Sequence, residues 1–98
     1  MKKEAKILAV IKDPGKGPYV THLDNTLKAF QSAVGGFIEV VNYKDGVILL
    51  VNEEGRLLHM PENILGIAGP IVAIRAKGEE FDSIRSAEVP KLLKELSE

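Results

Sequence analysis

The chain has 98 residues, no cysteine and a formal net charge of −1, with 45% apolar and 28% charged residues. Those values describe one folded domain, residues 1–98, able to bury roughly two-thirds of its unfolded surface. They exclude a disulfide framework and a thiolate metal site, and they leave no bulk positive charge to draw the protein to nucleic acid.

Met1-Lys2-Lys3 looks like the basic start of a secretory signal. The apolar run behind it, Ile7 to Ile11, is only five residues long, whereas a signal core needs about seven to fifteen. No run approaches the roughly eighteen apolar residues that span a bilayer. A cytoplasmic protein with no membrane partner is the expectation.

Lys6 to Lys12 is apolar on both faces, as an interior strand covered on each side would be. Asp13-Pro14-Gly15-Lys16-Gly17-Pro18 then forbids a regular element. Tyr19 to Leu23 reads as a short extended piece, and Asp24 or Asn25 offers a helix N-cap. Leu27, Phe30, Ala33 and Val34 share one helical face, and Gly35-Gly36 ends that helix. Phe30 and Phe37 are the aromatics expected in the core.

Phe37 to Tyr43 is a strand by composition. Lys44-Asp45-Gly46 is a hairpin turn, because Asp-Gly tolerates positive φ. Val47 to Asn52 is the most apolar strand and is expected in the interior of the sheet. Glu53-Glu54-Gly55 turns the chain again, and Arg56 to Met60 is read as a third strand that completes a meander. Pro61-Glu62-Asn63 stops it, and Ile64 to Pro70 forms an ordered loop. Ile71 to Ala76 is another strand, and Lys77 to Asp82 a charged loop. A charged C-terminal helix spans about 86–97, capped by Ser86, with Val89, Leu92, Leu93 and Leu96 on one face. Pro90 fits its first turn, and Lys91 with Glu95 makes an i,i+4 ion pair.

The resulting order is β-α-β-β-β-β-α. The fold class is α+β: a single, mostly antiparallel sheet of about five strands with two helices packed on one face.

Several short motifs follow one another along the chain: Val34-Gly35-Gly36 before Ile38-Glu39-Val40, Asn52-Glu53-Glu54-Gly55, Pro61-Glu62-Asn63, and Gly69-Pro70 leading into a strand. In this order and spacing, from Ile7 to Ala76, the chain resembles the family described as domain of unknown function 3846. These are small proteins encoded by phages, plasmids and bacteria. The resemblance brings no biochemical activity with it, and it implies a setting of mobile elements: host takeover, anti-restriction or replication. One position departs from the family pattern. Ile64 stands where the family often has an arginine after the asparagine, so an anion site built on that arginine is in doubt here.

Asn52, Glu53, His59 and Asn63 are the candidate binding residues, with Arg56 nearby, because two turns leaving one sheet edge could bring them together. The competing reading is turn chemistry, in which Asn and Glu side chains support the backbone. His22 and His59 with Asp24 and Glu62 have the right atoms for zinc or iron, but no spacing such as His-x-x-x-His supports a metal site. Lys12 to Gly17 lacks the glycine spacing and following helix of a phosphate loop. There is no Gly-x-Ser-x-Gly elbow, and Ser32, Ser83 and Ser86 sit at helix, turn and cap positions. Glu79, Glu80 and Asp82 lack the calcium-loop pattern. Tyr43 beside Lys44 is the one candidate base-stacking pair, too little for a nucleic-acid platform.

No catalytic constellation and no cofactor motif is present. The expected function is therefore a non-catalytic protein-interaction module, its partner another protein or a second copy of the chain. The alternative is a small-ligand- or nucleic-acid-binding regulator that uses the turns around Asn52-Glu53 and Asn63.

Overall fold

The computed structural model of the chain describes residues 5–97; the Met1-Lys2-Lys3 start lies outside the described residues. In chain order the elements are β1 (Lys6–Lys12), β2 (Tyr19–Asp24), α1 (Leu27–Val34), β3 (Ile38–Lys44), β4 (Val47–Asn52), β5 (Ile71–Lys77), β6 (Glu80–Asp82) and α2 (Val89–Glu95). Single-turn 3-10 segments occupy Ile64–Gly66 and Ser86–Glu88. The fold is the expected α+β class: one antiparallel sheet with two helices.

The strands lie in the order β2-β1-β5-β4-β3, and β6 adds to β5. One edge of β5 is shared. β1 pairs with its first half, Lys12 opposite Ile71, and β6 with its second, Phe81 opposite Ala76. Beyond the point where β1 leaves β5, Leu8 is satisfied by the chain after β6. Its N–H donates to Ser83 Oγ at 2.9 Å, and its carbonyl accepts the N–H of Ile84 at 3.0 Å. The charged loop expected over Lys77 to Asp82 thus holds a short strand.

Alternation splits the core into two layers. Ile7, Ala9, Ile11, Ile48, Leu50, Val72 and Ile74 face Phe30 and Val34 of α1. Val10, Val47, Leu49, Val51, Ile71 and Ala73 face Leu92 and Leu96 of α2. The helices therefore cover opposite faces of the sheet, not the single face expected. This is why β1, β4 and β5 are apolar at nearly every position, since a strand covered on both sides has no solvent face.

Local signals act much as the residue types require. Thr26, rather than Asp24 or Asn25, caps α1, its Oγ1 accepting the N–H of Ala29 at 3.1 Å. Gly35 ends the helix in the left-handed conformation (φ 81°). Asp45 and Gly46 both take positive φ at the β3–β4 hairpin. Phe37 is 64% exposed, not in the core, because it lies just before β3, an edge strand, with a neighbour on one side only. Its expected place is taken by Phe81, edge-on to Phe30 with ring centres 5.3 Å apart.

The chain between Gly55 and Met60 is not the third strand of a meander. It is a series of turns closed by Leu58 N–H to the Glu54 carbonyl (2.8 Å) and Met60 N–H to the Gly55 carbonyl (2.9 Å). Pairing there would require the edge of β4 that β5 already occupies. The segment instead forms a strap across one end of the sheet.

Two carboxylates fasten α2. Glu88 accepts both Arg75 Nε (2.7 Å) and Nη2 (2.8 Å), together with the N–H of Arg85 (2.7 Å). Glu95 accepts the Tyr43 hydroxyl at 3.0 Å and pairs with Lys44 at 2.8 Å. The expected Lys91–Glu95 pair is present at 4.0 Å. The Arg75 guanidinium holds the Glu88 carboxyl below the usual carboxylate range, and Lys44 does the same for Glu95. A depressed carboxylate stabilises the fold above its unfolded pKa and loses that contribution as pH falls through its folded value. The melting temperature is therefore expected to drop as pH falls below about 4.3, the unfolded glutamate value. Glu88→Gln is expected to lower the melting temperature at neutral pH and to flatten part of that acid drop, as read by thermal melts across a pH series. An unchanged acid profile in the variant would remove Glu88 from the explanation.

Candidate functional site

The motifs that mark this sequence converge on one corner of the sheet, where α1 ends, β4 ends and the strap begins. Asn52 closes β4 and is 5% exposed. Its Nδ2 donates to the carbonyl of Val34 at 3.0 Å, one of the last carbonyls of α1, which have no partner within the helix. Its Oδ1 accepts the N–H of Glu54 at 2.7 Å and so shapes the turn that follows. Gly36 makes the approach possible, because a Cβ there would stand 2.9 Å from Asn52 Nδ2.

Asn63 does the same for the far end of the strap. It is 6% exposed. Its Nδ2 donates to the carbonyls of Lys12 (2.7 Å) and Gly69 (2.9 Å), and its Oδ1 accepts the N–H of Ile64 (2.8 Å). Gly69, at φ 103°, lies under Met60, whose Sδ would be 2.8 Å from an added Cβ. Gly55 packs directly on the Ala68 carbonyl. Ile64, at the position where an arginine would be expected, packs partly buried against the α2 layer.

Both asparagines thus spend their amide groups on backbone partners. The other two candidates differ. Glu53 and His59 are exposed, and neither side chain makes a hydrogen bond or ion pair among the described residues. His59 sits at φ 56° in the strap. The structure thus separates the four candidates into two that hold the corner together and two on its surface. Arg56 is also committed, its Nη2 donating to the carbonyl of Gly66.

The family model described as Domain of unknown function (DUF3846) matches residues 6–97. The chain belongs to that family. No curated protein and no solved structure matches it. In this member of the DUF3846 family, the Gly-Gly, Asn-Glu-Glu-Gly, Pro-Glu-Asn and Gly-Pro motifs are parts of one latch, in which Gly36 leaves room for the Asn52 amide, Gly69 for Met60 and Gly55 for the Ala68 carbonyl.

The other sequence candidates are dispersed. His22 lies on β2 opposite Leu8, and His59 lies in the strap. Among the described residues no group of three or more His, Cys, Asp or Glu could hold a metal ion. The Tyr43 hydroxyl and Lys44 both engage Glu95, and the Lys44 ammonium lies over the Tyr43 ring, 5.4 Å from its centre. No helix among the described residues is long and apolar enough to cross a membrane.

The feature that sequence reasoning missed is a groove of about 310 Å³ beside β3, between the sheet and the strap. Val41, Val51 and Leu57 line it together with Glu39, Glu53 and Glu54. Its one sequence signal is the run Glu39-Val40-Val41, in which a charged residue and an apolar one share a face at the period of two. That pattern marks a groove only once the strap is known to pass beside it.

Proposed function

We propose that this protein is a non-catalytic interaction module in a mobile-element setting, binding another protein through the β3 edge and the strap beside it. One observation carries the reading: among the described residues β3 is an outermost strand, paired with β4 alone. Exposed Phe37 (64%), Val40 (49%) and Leu57 (74%) lie on or near it. A strand edge offers a row of backbone donors and acceptors, and exposed apolar side chains beside one favour partner pairing over solvent. The mobile-element part rests on the family resemblance.

The alternative, a small-ligand- or nucleic-acid-binding regulator built on Asn52-Glu53 and Asn63, has less support. Both asparagine amides are used internally, and the surface around them carries carboxylates that repel a phosphate backbone. The test is capture from lysate of the source cell, with and without nuclease, together with the mass of the purified protein in solution. The expected result is a stoichiometric protein partner that survives nuclease. A monomer that captures no protein, or capture that nuclease abolishes, would overturn the reading.

A further inference from the structure

We infer that the outer edge of β3 receives an extended partner segment with an apolar-apolar-basic pattern, seated as an added antiparallel strand with its basic residue against Glu39. The inference rests on the interaction-module reading above and names the chemistry of the partner. The free stretch of β3 is short. The β3–β4 register is regular from Ile38 to Asn42 and then breaks at a bulge before Lys44, so an added strand pairs over about five residues. Within that window Glu39 and Val41 face the α2 side, opposite Val51 and Leu49 of β4, while Val40 faces the α1 side opposite Leu50.

Opposed residues in an antiparallel pair share a face. Reading along the incoming strand, the residue against Val41 comes first and is apolar. The residue against Val40, which is 49% exposed, comes second and is apolar. The residue against Glu39 comes third. The groove determines its charge. Glu39, Glu53 and Glu54 line one cleft, and none of them has an ion pair among the described residues. Arg56, which also lines the cleft, donates to the Gly66 carbonyl and pairs with none of them. A lysine or arginine stem would lie along Val41 and Val51 while its charged head reached the carboxylates.

The same register argument disfavours a second copy of this chain. In the symmetric antiparallel registers open to β3, Glu39 faces Val41, its own symmetry mate, or the Tyr43–Lys44 bulge, whose lysine already pairs with Glu95 at 2.8 Å. A hydrophobic or like-charged opposite leaves that carboxylate without a counter-charge.

Panning a random-peptide display library against the full chain, and in parallel against Glu39→Lys, tests the assignment. The substitution falls on an exposed side chain, and a thermal melt of the variant verifies the fold. Enrichment of apolar-apolar-basic peptides is expected. They should bind Glu39→Lys at least about tenfold more weakly, and panning on the variant should select an acidic residue at that position. Enriched peptides that lack the basic residue, or that bind both proteins equally, would overturn this inference and leave the interaction-module reading standing. No enrichment at all would also overturn it, and the lysate capture would then judge the broader reading by itself.

Discussion

Asn63→Ala is expected to lower stability by about 3–5 kcal/mol, because each buried group left without a partner costs about 1–3 kcal/mol. The substitution removes three bonds at once: those to the carbonyls of Lys12 and Gly69 and that from the N–H of Ile64. The site is 6% exposed, so water cannot readily replace the amide. For a domain of this length, about 4–8 °C of melting temperature goes with each kcal/mol, and a fall of at least about 12 °C follows. Asn52→Ala removes two such bonds, to Val34 and Glu54, and should cost somewhat less, about 2–4 kcal/mol. Thermal melts of the two variants decide between the readings of these residues. If both melt within about 2 °C of the wild type, the asparagines are spare side chains available to a ligand, and the corner is not a latch.

Gly55→Ala is expected to be at least as damaging, about 3 kcal/mol or more, through crowding rather than lost bonds. The added methyl would meet the Ala68 carbonyl oxygen and carbon, which are backbone atoms. A flexible side chain could swing aside. This backbone cannot readily do so, because residues 62 and 68 bridge each other and Gly69 N–H donates to the Pro61 carbonyl at 2.9 Å. Gly17→Ala is the control. Its Cβ would meet nothing within 4 Å, and its φ is not in the left-handed region, so it should be neutral or slightly stabilising through the unfolded chain. Denaturant titration of the two variants reads the contrast. Equal midpoints would mean that the strap yields at no cost.

The legible parts of the fold were those that residue type fixes locally. Gly35 as a left-handed stop, Asp45-Gly46 as a hairpin and β1 and β4 as strands covered on both faces each depend on a few neighbouring residues. Arg56 to Met60 has a strand's composition and reads as one, and only the occupancy of both β4 edges forbids its pairing. β6 was missed because three residues pair only where β1 leaves part of the β5 edge open. The placement of the helices on opposite faces follows from strand order, which local pattern does not encode.

The candidate residues divide along the same line. Asn52 and Asn63 were singled out by their setting in turns, and the competing turn-support reading describes their geometry. Their partners, Val34 and Lys12, lie 18 and 51 residues away in the chain, a distance over which side-chain chemistry alone points nowhere. The groove beside β3 was illegible for the same reason, since its two walls come from β3 and from a strap that was itself read as a strand.

Nuclease-treated lysate capture with wild-type and Glu39→Lys baits side by side tests the central claim most directly, namely that a protein partner seats on the β3 edge with its cation against Glu39. The predicted result is a stoichiometric protein partner on the wild type, lost from Glu39→Lys, with both baits melting at the same temperature. Retention of the partner by Glu39→Lys would contradict it.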